Sequence, residues 1–506
     1  MRFLRRNALG VYAVYAAAIV SGLVVTPVVI HSIGKSAFGV WTFIGSVTIY
    51  LSVLDFGVGP SIVRFSAEAR GRGATDDMNE VASTGLAMYA AIGLVTLPLG
   101  AVLALVVPLV APHRLGWDAA IATSLVALSL AARFPLGLFN NLLVAQQRWD
   151  LQNLANFVST ALYGILVAVL MPRYGGLVLL GALTLGTTLL RLALPLLWLK
   201  RELPELRIQR RFVTRARLRE LVTFSSSNFL VHVAQKIVFS TDVIVVGIVL
   251  GALATGEYSV PAKLFALAFG IGTAVTSLMF PAFAELEGAG ALERQRRLLL
   301  SGLRVGTALM LLLALPLLLI PDLLIRAWIG RGFHSSYAVM AILAGVLLVH
   351  QPIYVLTQFL IARARQREVA LVSIVTTLAN LALSFALAWV WGIWGVAVST
   401  LVTDIVALAY IIPRYAAPAA GTTSGEFVRA ITRPALPALV AAAAVLVLLA
   451  RAWRPGTLVA LMPLGALWTV VAVAAVWRFG LDADERKHLG RELLRGRGAQ
   501  PAAADI

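Results

Sequence analysis

The sequence predicts an all-α, polytopic membrane protein of about fourteen transmembrane helices. They are expected to form two six-helix lobes related by a pseudo-two-fold axis along the membrane normal, plus two C-terminal helices. Three observations carry this. Of 506 residues, 60% are hydrophobic and only 13% charged, with a mean hydropathy of +0.88, whereas soluble domains carry about 25% charged residues. The apolar residues come in repeated runs of about 20, the length that crosses ~30 Å of hydrocarbon. And one constant shift pairs Gly34 with Gly251, Gly39 with Gly256, Pro135 with Pro352, Ala145 with Ala362, Arg148 with Arg365 and Gly175 with Gly392. That shift superposes the first run on the seventh, the fourth on the tenth and the sixth on the twelfth. Six is even, so the two copies share one orientation in the membrane.

In order, the first six runs cover residues 10–30, 38–62, 81–111, 118–142, 153–172 and 176–199. The first follows Arg2, Arg5 and Arg6 and has the form of a signal peptide, with Ala16-Ala17-Ala18 as a small-residue site; the many later runs make it an uncleaved first helix. Pro98 and Pro108 are expected to kink or end the long third run. These runs make the N-terminal lobe, 1–199. Residues 200–220 form a basic linker whose Leu203, Leu206, Ile208, Phe212, Val213 and Leu218 suggest an amphipathic helix on the inner leaflet; a solvated linker fits the same residues. The second lobe, 221–415, holds runs at 221–250, 257–283, 299–321, 336–362, 368–391 and 394–413. Runs at 431–450 and 456–478 give the two additional helices, and 479–506 a cytosolic tail.

Charge tests this count. With the N-terminus in the cytosol, 30 of the 42 Lys and Arg fall in inside segments, 7 in outside loops and 5 within runs. So strong an asymmetry over short loops places both termini inside. It also assigns the net charge of +18 to topology rather than to a nucleic-acid patch. The localisation it implies is a multi-pass protein of a bacterial cytoplasmic membrane, with both termini cytosolic.

Motifs for catalysis are missing. Gly34-Lys35-Ser36 imitates the end of a phosphate loop, but Val29 stands where the first glycine should be. There is no cysteine, and the six histidines form no metal-binding pair. No serine sits in a Gly-x-Ser-x-Gly elbow. No enzyme activity, metal or cofactor is expected.

The informative residues are polar ones inside apolar runs. On the seventh run Asn228, His232, Gln235, Lys236 and Asp242 fall within an arc of about 120° at 100° per residue. On the eighth, Ser259, Lys263, Gly270 and Ser277 share one side. A lysine facing lipid near mid-membrane costs ~3 kcal/mol or more, so two such stripes imply a lined cavity or a polar seam. Arg133 and Arg191 lie in the fourth and sixth runs; Asp55 stands with Thr48, Ser52 and Gly59 on the second, and Asp404 on the twelfth. Lys236, Lys263, Arg133 and Arg191 are candidate ligands of an anionic head group such as a diphosphate, with Asn228, His232, Gln235 and Ser259 as the polar stripe of the cavity. Asp55 and Asp242 are candidates for coupling to H⁺ or Na⁺. The plain alternative is that these charges pair with one another and fix helix packing, and that Arg191 and Arg304 snorkel to the interface.

The opening, Gly34-Lys35-Ser36-Ala37-Phe38-Gly39-Val40-Trp41 followed by Leu54-Asp55-Phe56-Gly57, resembles polysaccharide and O-antigen flippases of the Wzx type. The stretch from Thr241-Asp242-Val243 through Gly256-Glu257-Tyr258-Ser259 to Pro281 resembles the start of their second half. The resemblance covers roughly residues 5–415 and places the chain in the superfamily that holds the lipid II flippase and the multidrug and toxin extrusion exporters. It implies a transporter alternating between inward- and outward-open states that moves undecaprenyl-diphosphate-linked glycans. Partners would be that lipid, the surrounding membrane lipids and a polysaccharide polymerase or assembly protein, with no nucleic acid. The competing expectation is a cation-coupled multidrug exporter of the same superfamily, and a third a non-transporting envelope scaffold. Exporters of cationic drugs favour acidic cavities, whereas here basic residues within runs outnumber acidic ones, five to three.

Overall fold

The computed structural model describes residues 2–225, 241–277, 279–432, 443, 446–447, 456–475 and 477. Among them no strand occurs. The helices are α1 (Arg2–Leu51), α2 (Val58–Arg72), α3 (Thr75–Val106), α4 (Gly116–Ala145), α5 (Trp149–Tyr174), α6 (Leu177–Glu202) and α7 (215–225). The second half supplies α8 (Thr241–Ser277), α9 (Met279–Gly288), α10 (Leu292–Leu319), α11 (Pro321–Trp328), α12 (His334–Ala362), α13 (Gln366–Trp391) and α14 (Ile393–Ile411). A π-helical turn, Ile412–Ala416, leads to the short α15 (Ala417–Ala420) and α16 (Ser424–Thr432), and α17 (Leu458–Ala475) follows.

Ten stretches among the described residues are long and apolar enough to cross a membrane. Two of them, Ala16–Arg72 with 57 residues and Thr241–Gly288 with 48, far exceed one crossing at 1.5 Å per residue. Each is broken by a glycine with positive φ, Gly34 (79°) and Gly251 (81°), so each accounts for two expected spans. α17 matches the fourteenth span; most of the thirteenth, the middle of the seventh (226–240) and the tail lie outside the described residues. The third run ends as expected, α3 stopping at Val106 before a 3-10 turn that contains Pro108.

The backbone repeats as the sequence does. Positive φ recurs at Gly34 and Gly251, at Gly73 and Gly290 (both 65°), at Gln147 (58°) and Ala364 (56°), and at Gly175 (58°) and Gly392 (62°). Every pair is separated by the same 217 residues that also separate the bonded pair Thr42 and Ser259. A left-handed residue marks where a helix must stop or turn, so the two halves turn at equivalent places.

Two expectations need correction. The second run, 38–62, is not one helix: α1 ends at Leu51, Ser52–Asp55 form a 3-10 turn, and Phe56 and Gly57 both take left-handed conformations (φ 48° and 78°) before α2. Nor is the linker an amphipathic helix. Residues 203–214 are irregular apart from a 3-10 turn at Arg210–Phe212. Pro204 cannot donate a helical hydrogen bond, and the backbone bonds to α3 instead: the Arg207 N–H donates to Asn79 Oδ1 (2.7 Å) and the Gln209 N–H to Ser83 Oγ (3.1 Å). The amphipathic pattern is real but serves packing, with Leu203, Leu206 and Ile208 set against the core of α2, α3 and α4. Arg217 ties the following helix to the same place through Asp77 (3.4 Å) and Glu80 (3.5 Å).

The chain divides into two compact units. The first, Met1–Val260 with Leu381–Val396, is built on α4, which packs against α3 and α6, while α1 packs on α5. Its core includes Ile62, Val81, Leu138, Leu142 and Leu143, all fully buried. Within this unit the helix after Gly34 crosses the helix after Gly251 at very short range. A Cβ on Gly39 would fall 1.8 Å from the Ala252 carbonyl oxygen, and one on Gly256 2.4 Å from that of Lys35. One turn on, the Ser259 hydroxyl donates to Thr42 Oγ1 (2.9 Å), and Lys35 faces Glu257 (3.6 Å). The second unit comprises Pro261–Asn380 and Ala397–Ile506. Its described part is centred on α10 against α12, with Leu299, Leu303, Val355 and Phe359 buried between them and Phe283 of α9. The Trp468 indole N–H of α17 donates to the Leu312 carbonyl (2.9 Å).

Replacing Gly256 with leucine is expected to cost about 3 kcal/mol or to prevent assembly, measured as a lower unfolding temperature in detergent. Gly45→Ala, where a Cβ meets nothing within 4 Å, should be neutral. In an Asn79→Ala variant the amides around Arg207 should exchange with deuterium faster, in line with loss of a bond contributing about 1 kcal/mol.

Candidate functional site

The break at residues 52–57 opens one side of the first unit. A cavity of about 680 Å³ lies there, lined by the break itself, α2, α3, α4, α5 and α6. Arg133 of α4, Arg191 of α6 and Asp55 of the broken turn, expected on three separate spans, come together in it. Gly57 takes its left-handed turn without a Cβ to oppose it, and its backbone passes close to Ser225 of α7. The turn sets Asp55 beside α3, where the Tyr89 hydroxyl donates to its Oδ1 (2.9 Å) and accepts from Asn141 Nδ2 (3.1 Å). A phenol has one proton to give and lone pairs to receive, so this chain of α4, α3 and turn is internally satisfied. A Cβ on Gly59 would lie 3.1 Å from the Tyr89 oxygen, so glycine leaves room for the network.

Arginine dominates the lining: Arg64, Arg133 and Arg191 against the single acid Asp55. Arg64 lies over the Phe224 ring at 4.5 Å, which holds its fork in place. Arg133 and Arg191 have no hydrogen bond or ion pair among the described residues, and both line the cavity. Two such cations on one wall suit an anion chemically, because an arginine fork matches phosphate oxygens bidentately. Along α4, Asn140 lies seven residues beyond Arg133, about 10 Å at 1.5 Å per residue. Where α4 gives way to α5 the lining also carries uncharged amides, Asn140, Asn141, Gln152 and Asn156, with Trp149. The turn at that end is clamped by Arg148, which bonds Asp150 (3.1 Å) and Glu202 of α6. The Asp150 carboxylate first, and Glu202 with it, holds the Arg148 guanidinium above its usual range.

The other expected residues lie elsewhere. Asp242 is buried and its Oδ2 accepts from Tyr258 (2.8 Å), while Ser259 is engaged with Thr42; neither lines the cavity. Lys263 is half-buried on α8 in the second unit. Asn228, His232, Gln235 and Lys236 lie outside the described residues. The repeat counterpart of Arg133 is His350, whose Nδ1 is 2.8 Å from Asp404 Oδ2 within the second unit. The amides and Tyr89 were missed by sequence reasoning. The available signal was the cluster of Asn and Gln on the last turns of α4 and the first turns of α5.

A sequence family described as polysaccharide biosynthesis protein matches residues 4–287, more than half of the chain. The uncharacterized membrane protein EpsK of Bacillus subtilis (strain 168) is 23% identical over 423 residues, which cover 81% of this chain and 82% of that protein. Among solved structures, the lipid II flippase MurJ in an inward closed conformation superposes with a TM-score of 0.72 at 12% identity, covering 93% of this chain and 99% of its own. An inward-facing multidrug resistance MATE family transporter of the MOP superfamily gives 0.65 at 14% identity, covering 78% and 93%. At such identities these structures establish a shared all-helical fold.

Tyr89→Phe should leave Asp55 without its donor and Asn141 without its acceptor. The expected loss is about 1–3 kcal/mol, read as a lower unfolding temperature with the helix content of the native protein.

Proposed function

The chain belongs to the polysaccharide biosynthesis protein family, and on that premise we propose that it is a flippase for lipid-linked glycans. It translocates an undecaprenyl-diphosphate-linked oligosaccharide, an O-antigen or exopolysaccharide repeat unit, across the bacterial cytoplasmic membrane by alternating access. The observation that carries this reading is the pair Arg133 and Arg191, open on the wall of a cavity that holds three arginines and one acid. Charge inside a membrane is expensive unless it is used, and the charge here has the sign and fork geometry suited to a diphosphate. The volume of about 680 Å³ falls within the ~300–1,000 Å³ of sites for compact ligands. The fold shared with the lipid II flippase supports the same reading.

In this mechanism the end of the cavity where α4 gives way to α5 opens to the cytosol, consistent with the basic residues of that side. The diphosphate meets the arginines while the polyprenyl tail stays in the bilayer. Of the two candidate coupling carboxylates, Asp55 is the better placed, because it shares the cavity with the arginines. Protonation or Na⁺ binding there would raise the positive potential felt by the diphosphate and favour its retention. Both termini are cytosolic, and a polysaccharide polymerase or assembly protein receives the glycan outside.

The test is flipping of labelled undecaprenyl-diphosphate glycans in proteoliposomes. An Arg133→Gln, Arg191→Gln double variant should flip at least 10-fold more slowly, since each charge-assisted bond contributes about 1.5–3 kcal/mol. A Lys236→Ala, Lys263→Ala variant forms the second arm and tells whether the eighth span and its neighbour also hold the head group. Exchange of cationic dyes against H⁺ or Na⁺, with no flipping of any glycan, would replace this reading with the multidrug exporter.

A further inference from the structure

The cavity of the first unit is lined by uncharged amides as well as by arginines. We propose that Asn140, Gln152 and Asn156 with the Trp149 ring, where α4 gives way to α5, form a sugar-binding subsite that sets which glycan the protein accepts. The proposal rests on the flippase reading and names the residues that read the substrate's uncharged part.

The side chains of Asn140, Gln152 and Asn156 are all half-buried, all line the cavity, and have no hydrogen-bond partner among the described residues. Amides that face a cavity without a protein partner are open to an occupant's hydroxyls. Three such amides, on two different helices, line this one cavity. Asn141, their neighbour, shows the contrast: its amide is used up on Tyr89 (3.1 Å). An amide offers donors and an acceptor in one plane, which is what adjacent hydroxyls of a pyranose require, since each hydroxyl both gives and accepts.

Trp149 is 45% exposed at the same end and supplies a flat apolar surface with a polar edge, suited to the C–H face of a sugar ring. The acids nearby are engaged, Asp150 and Glu202 by Arg148 and Asp55 by Tyr89. The spacing also fits. Arg133 and Asn140 are about 10 Å apart along α4, room for the first one or two rings after the diphosphate. The Arg148 clamp to Asp150 and Glu202 fixes the turn that carries Trp149 and Gln152, and a rigid frame is what discrimination between epimers needs.

The experiment is equilibrium binding to the full-length protein in nanodiscs. The probes are labelled undecaprenyl diphosphate and the same lipid carrying N-acetylglucosamine, galactose, glucose or N-acetylgalactosamine. The native protein should bind at least one glycosylated lipid about tenfold more tightly than the bare lipid. An Asn140→Ala, Gln152→Ala, Asn156→Ala variant should reduce that ratio to about twofold or less, the scale of losing one to two neutral hydrogen bonds. Gln152→Ala alone, in the first turn of α5, should reduce it about threefold and guards against misfolding of the triple variant. Arg133→Gln with Arg191→Gln should weaken both lipids together and keep the ratio. A ratio that survives the amide substitutions, or a native protein that prefers no sugar, overturns the subsite while leaving the diphosphate site standing. A native protein that binds neither bare nor glycosylated lipid overturns the flippase reading itself.

Discussion

A peptide group placed in hydrocarbon finds no hydrogen-bond partner except its own chain, and most of this structure follows from that. Every long crossing is a helix, and helices brought together without water to drive them must approach closely enough for dispersion to hold them. Glycine and alanine provide the approach, at Gly39 with Gly256 and again where a Cβ on Gly93 would strike the Ala131 carbonyl oxygen at 2.8 Å. Irregular backbone at membrane depth is tolerated where it borders a cavity. The broken turn at Ser52–Asp55 sits at such a place, since Ser52 and Asp55 both line the cavity of the first unit.

The same rule governs polar side chains, and the two units apply it differently. In the second unit His350 has Asp404, Gln351 donates to Thr276 (2.6 Å), and Asn380 reaches Thr400 (3.0 Å). In the first unit Tyr89, Asn141 and Asp55 satisfy one another, but Arg133 and Arg191 are left on an open wall. Arg133 and His350 occupy equivalent positions of the repeat, so one position holds a cavity-lining arginine in one half and a partnered imidazole in the other. The backbone plan repeats, and the chemistry placed on it differs between the halves.

Much of this was legible in the sequence because hydrophobic length and charge asymmetry report on the membrane directly. The repeat read from Gly34, Gly175 and their partners reappears as left-handed backbone at those residues and at two further pairs. Arg133, Arg191 and Asp55 were conspicuous as charges in apolar runs, although nothing in the sequence said that they share one cavity. The amides were hidden: Asn140, Asn141, Gln152 and Asn156 stand near helix ends, where polar residues ordinarily meet interfacial water. A helical stripe also tells which residues share a face but not what that face meets. Ser259, read as cavity lining, is engaged by Thr42. The linker pattern was amphipathic, but periodicity alone did not distinguish a leaflet helix from a strap bonded to Asn79 and Ser83.

The crossing at Gly39 and Gly256 has a form usually met between separate molecules. Residues equivalent under the repeat touch each other, Gly39 at Gly256 and Thr42 at Ser259, which is the self-complementary pattern of a two-fold symmetric homodimer interface. Identical subunits must change in step, because every substitution appears on both sides of the axis. A fused chain is free of that restriction, and the crossing already records its use: Lys35 pairs with Glu257, while the mirror positions, Ala252 and Val40, carry no charge. Within one covalent chain such a contact carries different residues on its two sides, and its symmetry survives only in the backbone and in the Gly39–Gly256 and Thr42–Ser259 pairs.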